Sequence, residues 1–394
     1  PQRYSIFTGR LPCTRFAADP AHKPTISLGN IARHAGYNTF YYGKWHITSR
    51  VFSREDVTYH GFTVNKGGHD QRTAQAAREL FGSYREKAPF FACFSFYNPH
   101  DICQWGRKVS GIKERIRMKN GELPIDPPLS KCPPLPPNFS INPDEAEAVR
   151  VRRTIGSAQA MAMKWDKITW RRYLWAYYRL VELADKRIGE VLEALRKNGF
   201  LENTVIIFTS DHGDGMACHR WHQKSILYEN SVRVPFIISW PGKGRQAAVD
   251  HHLISTGIDM MPTLCDIVGY PMPEGPYYGK SAILFVLSGE NHAPTHSYVV
   301  SEANVSDPQK GVYVGRAIRS PRYKYHVWSK GAHREQLFDM QTDPGETHNL
   351  AKDPAYADIL QQHRAYFADW LRRTDDTWRQ DIASASHLHS QQEE

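Results

Sequence analysis

The feature that most constrains the fold is the alternation of short apolar segments with amphipathic segments through the first three quarters of the chain. Apolar runs of strand length lie at residues 39–42, 90–96, 204–210 and 234–239. Helical patterns lie at residues 25–35, 71–87, 168–198 and 259–268. Strands that are separated by helices form parallel sheets with helices on both faces. The pattern therefore predicts an α/β domain with a mixed, mainly parallel sheet over residues 1–290.

The pattern changes after about residue 290. Short strands joined by turns are predicted at residues 298–302, 312–319 and 323–328, followed by a helix at 355–372. This succession is typical of a smaller α+β subdomain, which we place at residues 291–374. The remaining residues, 375–394, are polar, and we expect this tail to be frayed.

Charge and composition exclude several functions. The chain of 394 residues has a formal net charge of +9, which favours anionic partners. It has neither zinc-finger spacing nor the aromatic motifs of RNA-binding domains, so nucleic acid is not an expected partner. No apolar run reaches the roughly 20 residues of a membrane-spanning helix. The six cysteines include no CxxC pair, which argues against a structural zinc site or a disulfide framework.

Residues with catalytic potential follow three of the predicted strands. They are Lys44 and His46 in GKWH, His100 in YNPHD, Asp211 and His212 in FTSDHGD, and Lys224 thirteen positions after Asp211. Each has a structural alternative: a helix-capping Asp, a surface Lys or a packed His. Ligands of open α/β sheets bind at the carboxyl ends of the strands. The sequence therefore predicts a convergent, cation-rich pocket, which suits a tetrahedral oxyanion.

In combination, these motifs resemble the formylglycine-dependent sulfatases of the alkaline-phosphatase superfamily. Residues 1–10, PQRYSIFTGR, are similar to the second half of that family's signature, Cys/Ser-x-Pro-x-Arg-x4-Thr-Gly-Arg. GY at 36–37 and GKWH at 43–46 resemble its second signature. The other motifs keep the family's order: NPH at 98–100, DHGD at 211–214, Lys224, RVP at 233–235, PG at 241–242, LFD at 337–339, DP at 343–344, Glu346 and NLA at 349–351. The resemblance covers nearly the whole chain and implies an alkaline-phosphatase-like α/β fold.

The resemblance implies catalytic roles for five residues. Arg3 would hold the charged form of the formylglycine hydrate, and Lys44 and Lys224 would bind the sulfate oxygens. His100 would bind the substrate and protonate the leaving alcohol, while His46 would assist the later elimination of sulfate.

The resemblance also implies a metal. Asp211 and His212 would be two ligands of a divalent cation, which in this family is most often Ca²⁺. His212 stands where many relatives have Asn, and calcium prefers oxygen ligands over nitrogen.

The family's nucleophile falls outside the sequence. The Cys or Ser that becomes formylglycine would lie two positions before Pro1, and the strand with the first pair of Asp metal ligands would lie further upstream. We therefore expect residues 1–394 to lack the nucleophile, to be inactive as given, and to fold poorly or expose a sheet edge. No secretory signal is visible, although the resemblance suggests a periplasmic or secreted protein.

The function that the resemblance implies is hydrolysis of sulfuric esters, with a sulfated small molecule or oligosaccharide as substrate. The alternatives are a phosphonate monoester or phosphodiester hydrolase of the same superfamily, and a non-catalytic binder of sulfated glycans. The basic residues between 107 and 119 follow His100 closely, so they predict an exposed rim that captures sulfated oligosaccharides in preference to small aryl sulfates. The alternative for this run is an ordinary solvated face.

Overall fold

The computed structural model describes residues 1–12, 26–47, 54–66, 68–112, 118, 121–155, 157–287, 296–374, 376 and 378. Cys13 and most of the predicted basic rim, Lys113, Arg115, Arg117 and Lys119, lie outside the described residues. Within the described residues, no helix combines the length and the apolarity that are needed to cross a membrane.

The first layer is a parallel sheet. Strands β1 (Asn38–Gly43), β2 (Val64–Lys66) and β3 (Phe90–Ser95) pair in the order β2-β1-β3. The helices of this part of the chain are α1 (Gln2–Thr8), α2 (Leu28–His34), α3 (Arg54–Tyr59), α4 (Asp70–Ser83) and α5 (Ile102–Val109). Alternate side chains of β1 enter different cores, because successive residues of a strand point to opposite faces. Tyr41 packs among residues of α1 and α2, whereas Tyr42 packs among residues of α4.

A second group of elements extends this layer. Helices α6 (Glu147–Thr154), α7 (Ser157–Ala162) and α8 (Lys167–Lys197) precede a two-stranded antiparallel sheet of β4 (Ile206–Thr209) and β5 (Phe236–Ser239). Helix α9 (Glu229–Val232) lies just before β5, and α10 (Thr256–Val268) and α11 (Ile283–Leu287) follow it. Helix α10 packs on α1, and α8 packs on α4. The long helices therefore cover both faces of the first sheet.

The third layer is an antiparallel sheet of four strands in sequence order. The strands are β6 (Val299–Asp307), β7 (Gly311–Arg319), β8 (Tyr323–Trp328) and β9 (Glu335–Asp339). Helix α12 (Ala357–Thr374) contributes Leu360 and Trp370 to the core beneath this sheet. The α/β class with a C-terminal α+β part is thus confirmed, while the boundaries at residues 290 and 374 stay predictions.

Two local predictions are wrong, and two elements were not predicted. The tail beyond residue 374 is not frayed at its start, because Asp376 and Trp378 are buried and Asp376 pairs with Arg316. The basic run does not begin as an exposed insertion, since residues 107–109 form the last turn of α5. Helix α8 runs over 31 residues, within one residue of the predicted bounds, whereas α1 and β9 were not predicted. The proline-rich stretch 123–143 is irregular apart from the 3₁₀ turn Leu129–Lys131.

Candidate active site

One cleft brings the predicted site residues together. Its volume is about 1530 Å³, and its lining includes Arg3, Lys44, His46, His100, Asp211, His212 and Lys224. These residues come from the start of α1, from the segments after β1, β3 and β4, and from the loop before α9. The convergence agrees with the pocket inferred from the sequence, whereas the chemical role of each residue stays a prediction.

Arg3 lines the cleft and contacts three segments of the chain. Its Nε donates to the carbonyl of Trp45 at 2.7 Å. Its Nη2 lies 2.7 Å from both the Lys44 carbonyl and the Ser95 hydroxyl, and 2.6 Å from the Tyr41 hydroxyl. The remaining nitrogen, Nη1, faces Asp211 at 3.5 Å. Arg3 therefore fixes the segment that presents Lys44 while adding positive charge beside Asp211.

A sharp turn after β1 aims Lys44 and His46 into the cleft. Gly43 has φ +93°, and a Cβ at this position would lie 2.0 Å from the Ser95 carbonyl, so only glycine fits. His46 has φ +54°, in the left-handed region. Strand β1 ends at Gly43, so the turn and not an extended backbone brings both side chains to the cleft.

Asp211 is the carboxylate at the centre of this cationic site. Lys44 Nζ lies 3.8 Å and Arg3 Nη1 lies 3.5 Å from its Oδ2, and His212 Nε2 lies 3.7 Å from its Oδ1. Burial raises the pKa of Asp211, but the neighbouring His212 imidazole and the charges of Lys44, Arg3 and Lys224 outweigh it and leave the pKa well below its usual range. Asp211 is therefore ionised at neutral pH, and more positive than negative charge surrounds it.

His212 has a tautomer that its neighbours define. Its Nδ1 lies 2.8 Å from the Gly213 carbonyl, which can only accept a hydrogen bond, so the proton resides on Nδ1. The lone pair of Nε2 then faces Lys224 Nζ at 2.8 Å. His212 and Lys224 are thus joined as acceptor and donor at the edge of the cleft.

His100 is held in place by a residue that the sequence did not single out. Asp70, at the start of α4, accepts hydrogen bonds from the backbone N–H groups of Tyr97 at 2.6 Å and Asn98 at 3.1 Å. These bonds fix the loop that carries His100. Burial, together with the positive charges of Lys44 and Lys224, lowers the pKa of His100 to about 4. No pattern in the sequence marks Asp70, because its partners lie 27 and 28 residues away.

Asp211 and His212 provide part of a metal site. The Asp211 carboxylate is a donor that suits Ca²⁺, whereas the nearby His212 imidazole is a donor more typical of transition metals. Within the part of the chain that the structure describes, however, no group of three or more His, Cys, Asp or Glu side chains is placed to hold a metal ion. Calcium takes six to eight ligands. The described residues therefore fit two positions of a coordination shell but not a complete one.

Comparison with known proteins shows the family of the chain. The model of the sulfatase family matches residues 1–270, and that of the C-terminal region of N-sulphoglucosamine sulphohydrolase matches residues 217–371. A Delta 4,5-hexuronate-2-O-sulfatase of Bacteroides thetaiotaomicron is 33% identical over 96% of this chain and 80% of its own length. A choline-sulfatase of Rhizobium meliloti is 27% identical over 90% of this chain and 73% of its own length.

A solved structure shows the same architecture. The structure of a 2-O GAG sulfatase superposes with a TM-score of 0.81 and 29% sequence identity, covering 96% of this chain and 83% of the other. The sulfatase match spans residues 1–270, which include all seven site residues. The protein therefore belongs to the sulfatase family, with an alkaline-phosphatase-like fold, and is a sulfuric ester hydrolase.

Proposed function

We propose that this sulfatase hydrolyses sulfate esters of sulfated carbohydrates. The observation that carries the proposal is the placement of Arg3, Lys44 and Lys224 around one carboxylate in the same cleft as His100. The 33% identity to a hexuronate sulfatase supports a saccharide substrate.

Lys44 and Lys224 bind the sulfate oxygens in this proposal. Burial lowers the pKa of Lys44, since desolvation disfavours its charge, and Asp211 partly restores it. A sulfate ester brings negative charge to this place and favours the charged lysine. Cations that are already positioned before the substrate arrives cost no reorganisation during the reaction.

His100 and His46 handle protons in this proposal. His100 donates a proton to the leaving alcohol oxygen, and His46 acts later, when the sulfate group is released. Burial, together with the positive charge of Lys44, lowers the pKa of His46. His46 is therefore neutral at pH 7 and able to accept a proton.

Arg3, Asp211 and His212 support the groups that the family uses. Sulfatases generally use a formylglycine nucleophile and a divalent cation, which would supply covalent catalysis and positive charge. Asp211 and His212 would donate two ligands to the cation, for which we propose Ca²⁺. Arg3 would orient the nucleophile, because it borders the same corner of the cleft as Asp211.

The experiment measures sulfate release from a sulfated disaccharide by the full-length protein. We expect Lys224→Ala to lower kcat/KM about 100-fold or more, the usual loss when one preorganised donor to a developing charge is removed. The matched control is Lys197→Ala, which removes an exposed lysine of α8. A phosphonate monoester is assayed in parallel. Faster turnover of the phosphonate, or no loss on Lys224→Ala, would contradict the proposal.

A further inference from the structure

A second group of cations lies in the same cleft, at the edge where β4 ends. Strands β4 and β5 are antiparallel, with Thr209 opposite Phe236. The pairing continues past the strands, since the Gly213 N–H donates to the Ser231 carbonyl at 2.9 Å. This contact is tight, because a Cβ on Gly213 would lie 2.0 Å from the Asn230 carbonyl. Arg233, just before β5, is therefore beside the segment that carries His212.

The C-terminal sheet brings another arginine to this place. Lys324, at the start of β8, forms ion pairs with Glu229 of α9 at 3.0 Å and with Glu346 at 2.9 Å. Arg319 of β7 is directly opposite Lys324, so both side chains are on one face of the sheet. The ion pair between Lys324 and Glu229 therefore places Arg319 near Arg233, four residues after Glu229.

The charges of this cluster do not balance. It contains the cations Arg233, Arg319 and Lys324 and the carboxylates Glu229 and Glu346, and both carboxylates are engaged by Lys324. Among the described residues, neither arginine has an ion-pair partner, although Arg319 donates to the Ser320 carbonyl. Burial lowers the pKa of Arg319, and the neighbouring charge of Arg233 lowers it further while Glu229 raises it. Among the residues that the structure describes, this cluster therefore has one more positive than negative charge.

The other arginines that line the cleft have partners. Arg316 pairs with Asp376 at 2.6 Å, and Arg245 faces Asp250 at 3.5 Å. Both therefore have a compensating carboxylate. The excess charge is localised at Arg233 and Arg319.

An unsatisfied hydroxyl lines the same cleft, two residues before Arg233 in the chain. Ser231 is only 3% exposed, lines the cleft, and has no hydrogen-bond partner for its Oγ in the described part of the chain. A buried hydroxyl without a partner is unfavourable by about 1–3 kcal/mol, so such groups usually bind a ligand or water. Two guanidinium groups and a hydroxyl donor provide what a single oxyanion requires.

We propose that Arg233, Arg319 and Ser231 bind a second anionic group of the substrate while its scissile sulfate ester is held by Lys44 and Lys224. The inference rests on the proposed function and makes it more specific: the saccharide carries a second oxyanion, either a uronate carboxylate or another sulfate. The guanidinium groups recognise the oxygens that both share. The distance between the two groups of cations then decides which saccharides fit, because the second anion and the sulfate ester must be the same distance apart.

The experiment compares three disaccharides that share the scissile sulfate ester. One has no other charge, one also has a carboxylate, and one also has a second sulfate. We expect the wild-type protein to show a lower KM for one of the two doubly charged substrates, which identifies the second anion. Arg233→Gln and Arg319→Gln should raise that KM about tenfold, as for loss of a charge-assisted hydrogen bond, with little change in kcat or in KM for the singly charged substrate.

Two controls separate this site from other effects. Arg196→Gln removes an equal charge from the exposed face of α8 and should leave all three KM values unchanged. If Arg319→Gln folds poorly, Arg319→Lys serves in its place. It keeps the charge of the half-buried position and should bind the doubly charged substrate with an affinity between those of Arg319→Gln and the wild type. Equal effects of the arginine variants on all three substrates, or no effect, would overturn the proposal.

Calorimetric binding of the same disaccharides distinguishes this inference from the proposed function. If the wild-type protein releases no sulfate from any of them, the proposed function fails. The second-anion site is still supported if a doubly charged disaccharide binds about tenfold more tightly than the singly charged one and Arg233→Gln removes the difference. It is overturned if all three bind alike.

Discussion

His100 is the site residue whose chemistry depends most on its neighbours. Burial and the charges of Lys44 and Lys224 hold its pKa at about 4, so the free protein carries it as neutral imidazole at pH 7. A general acid needs a proton when the alcohol leaves. In the proposed mechanism, a sulfate ester between the lysines offsets their charge and should raise the pKa of His100 toward its ordinary value. Substrate binding thus favours the protonated form that the reaction uses.

Lys224→Met tests this coupling. Since Lys224 lowers the pKa of His100, its removal should raise that pKa above about 4, as followed by NMR titration of the imidazole. Inorganic sulfate added to the wild-type protein should raise it as well. Lys197→Met, outside the cleft, should have no effect. A His100 pKa that is equal in all these samples would show that the lysines do not act on it.

The individual site residues were predictable where a motif carries them. His100, Asp211 and Lys224 stand in or after strand ends, where apolar segments give way to titratable residues. Asp70 was not predictable, because its role depends on a loop 27 residues away. Arg319 was missed for a similar reason, since only the pairing of β7 with β8 brings it to the cleft.

The junction of β8 with α9 holds the C-terminal sheet against the catalytic layer. Lys324 and Glu346 are each 1% exposed, and Glu346 also accepts a hydrogen bond from the Glu229 backbone N–H at 2.6 Å. Charges buried this deeply are tolerated only when they are paired and hydrogen-bonded. The junction therefore depends on Lys324, Glu229 and Glu346 together.

Lys324→Met should destabilise the protein strongly. The substitution leaves two carboxylates without their cation, and breaking a buried pair in this way costs about 3–5 kcal/mol. The apparent free energy of unfolding in urea measures the loss. The double variant Lys324→Met/Glu346→Gln should recover part of it, because the amide carries no charge. If Lys324→Met has the same midpoint urea concentration of unfolding as the wild type, the ion pairs do not stabilise the junction.

Elements were predictable where periodicity is strong. Strand β3 is a continuous apolar run, and helix α8 has an apolar stripe with clear ends. The predicted bounds of both agree with the structure to within a residue. Helix α5 was missed because its last turn contains Arg107 and Lys108, which were assigned to a basic loop. Helix α1 was missed because its seven residues were read as a signature and not as an amphipathic pattern.

The cleft as a whole is formed by two parts of the chain with different architectures. The parallel sheet and β4 supply the proposed sulfate site, and the antiparallel sheet supplies Arg319 and Lys324. Their relative position could not be derived from the sequence, because it depends on ion pairs between residues far apart in the chain. The net charge of +9 is consistent with attraction of polyanionic saccharides, an effect that salt screens.

A crystal structure of the His100→Ala variant with a sulfated disaccharide tests the central claim most directly, because slow turnover should preserve the ester. We expect sulfate oxygens about 3 Å from Lys44 Nζ and from Lys224 Nζ, with the saccharide extending toward Arg233 and Arg319. If the disaccharide instead binds at full occupancy with its sulfate group in contact with neither lysine, in the cleft or elsewhere, that result contradicts the roles of Lys44 and Lys224.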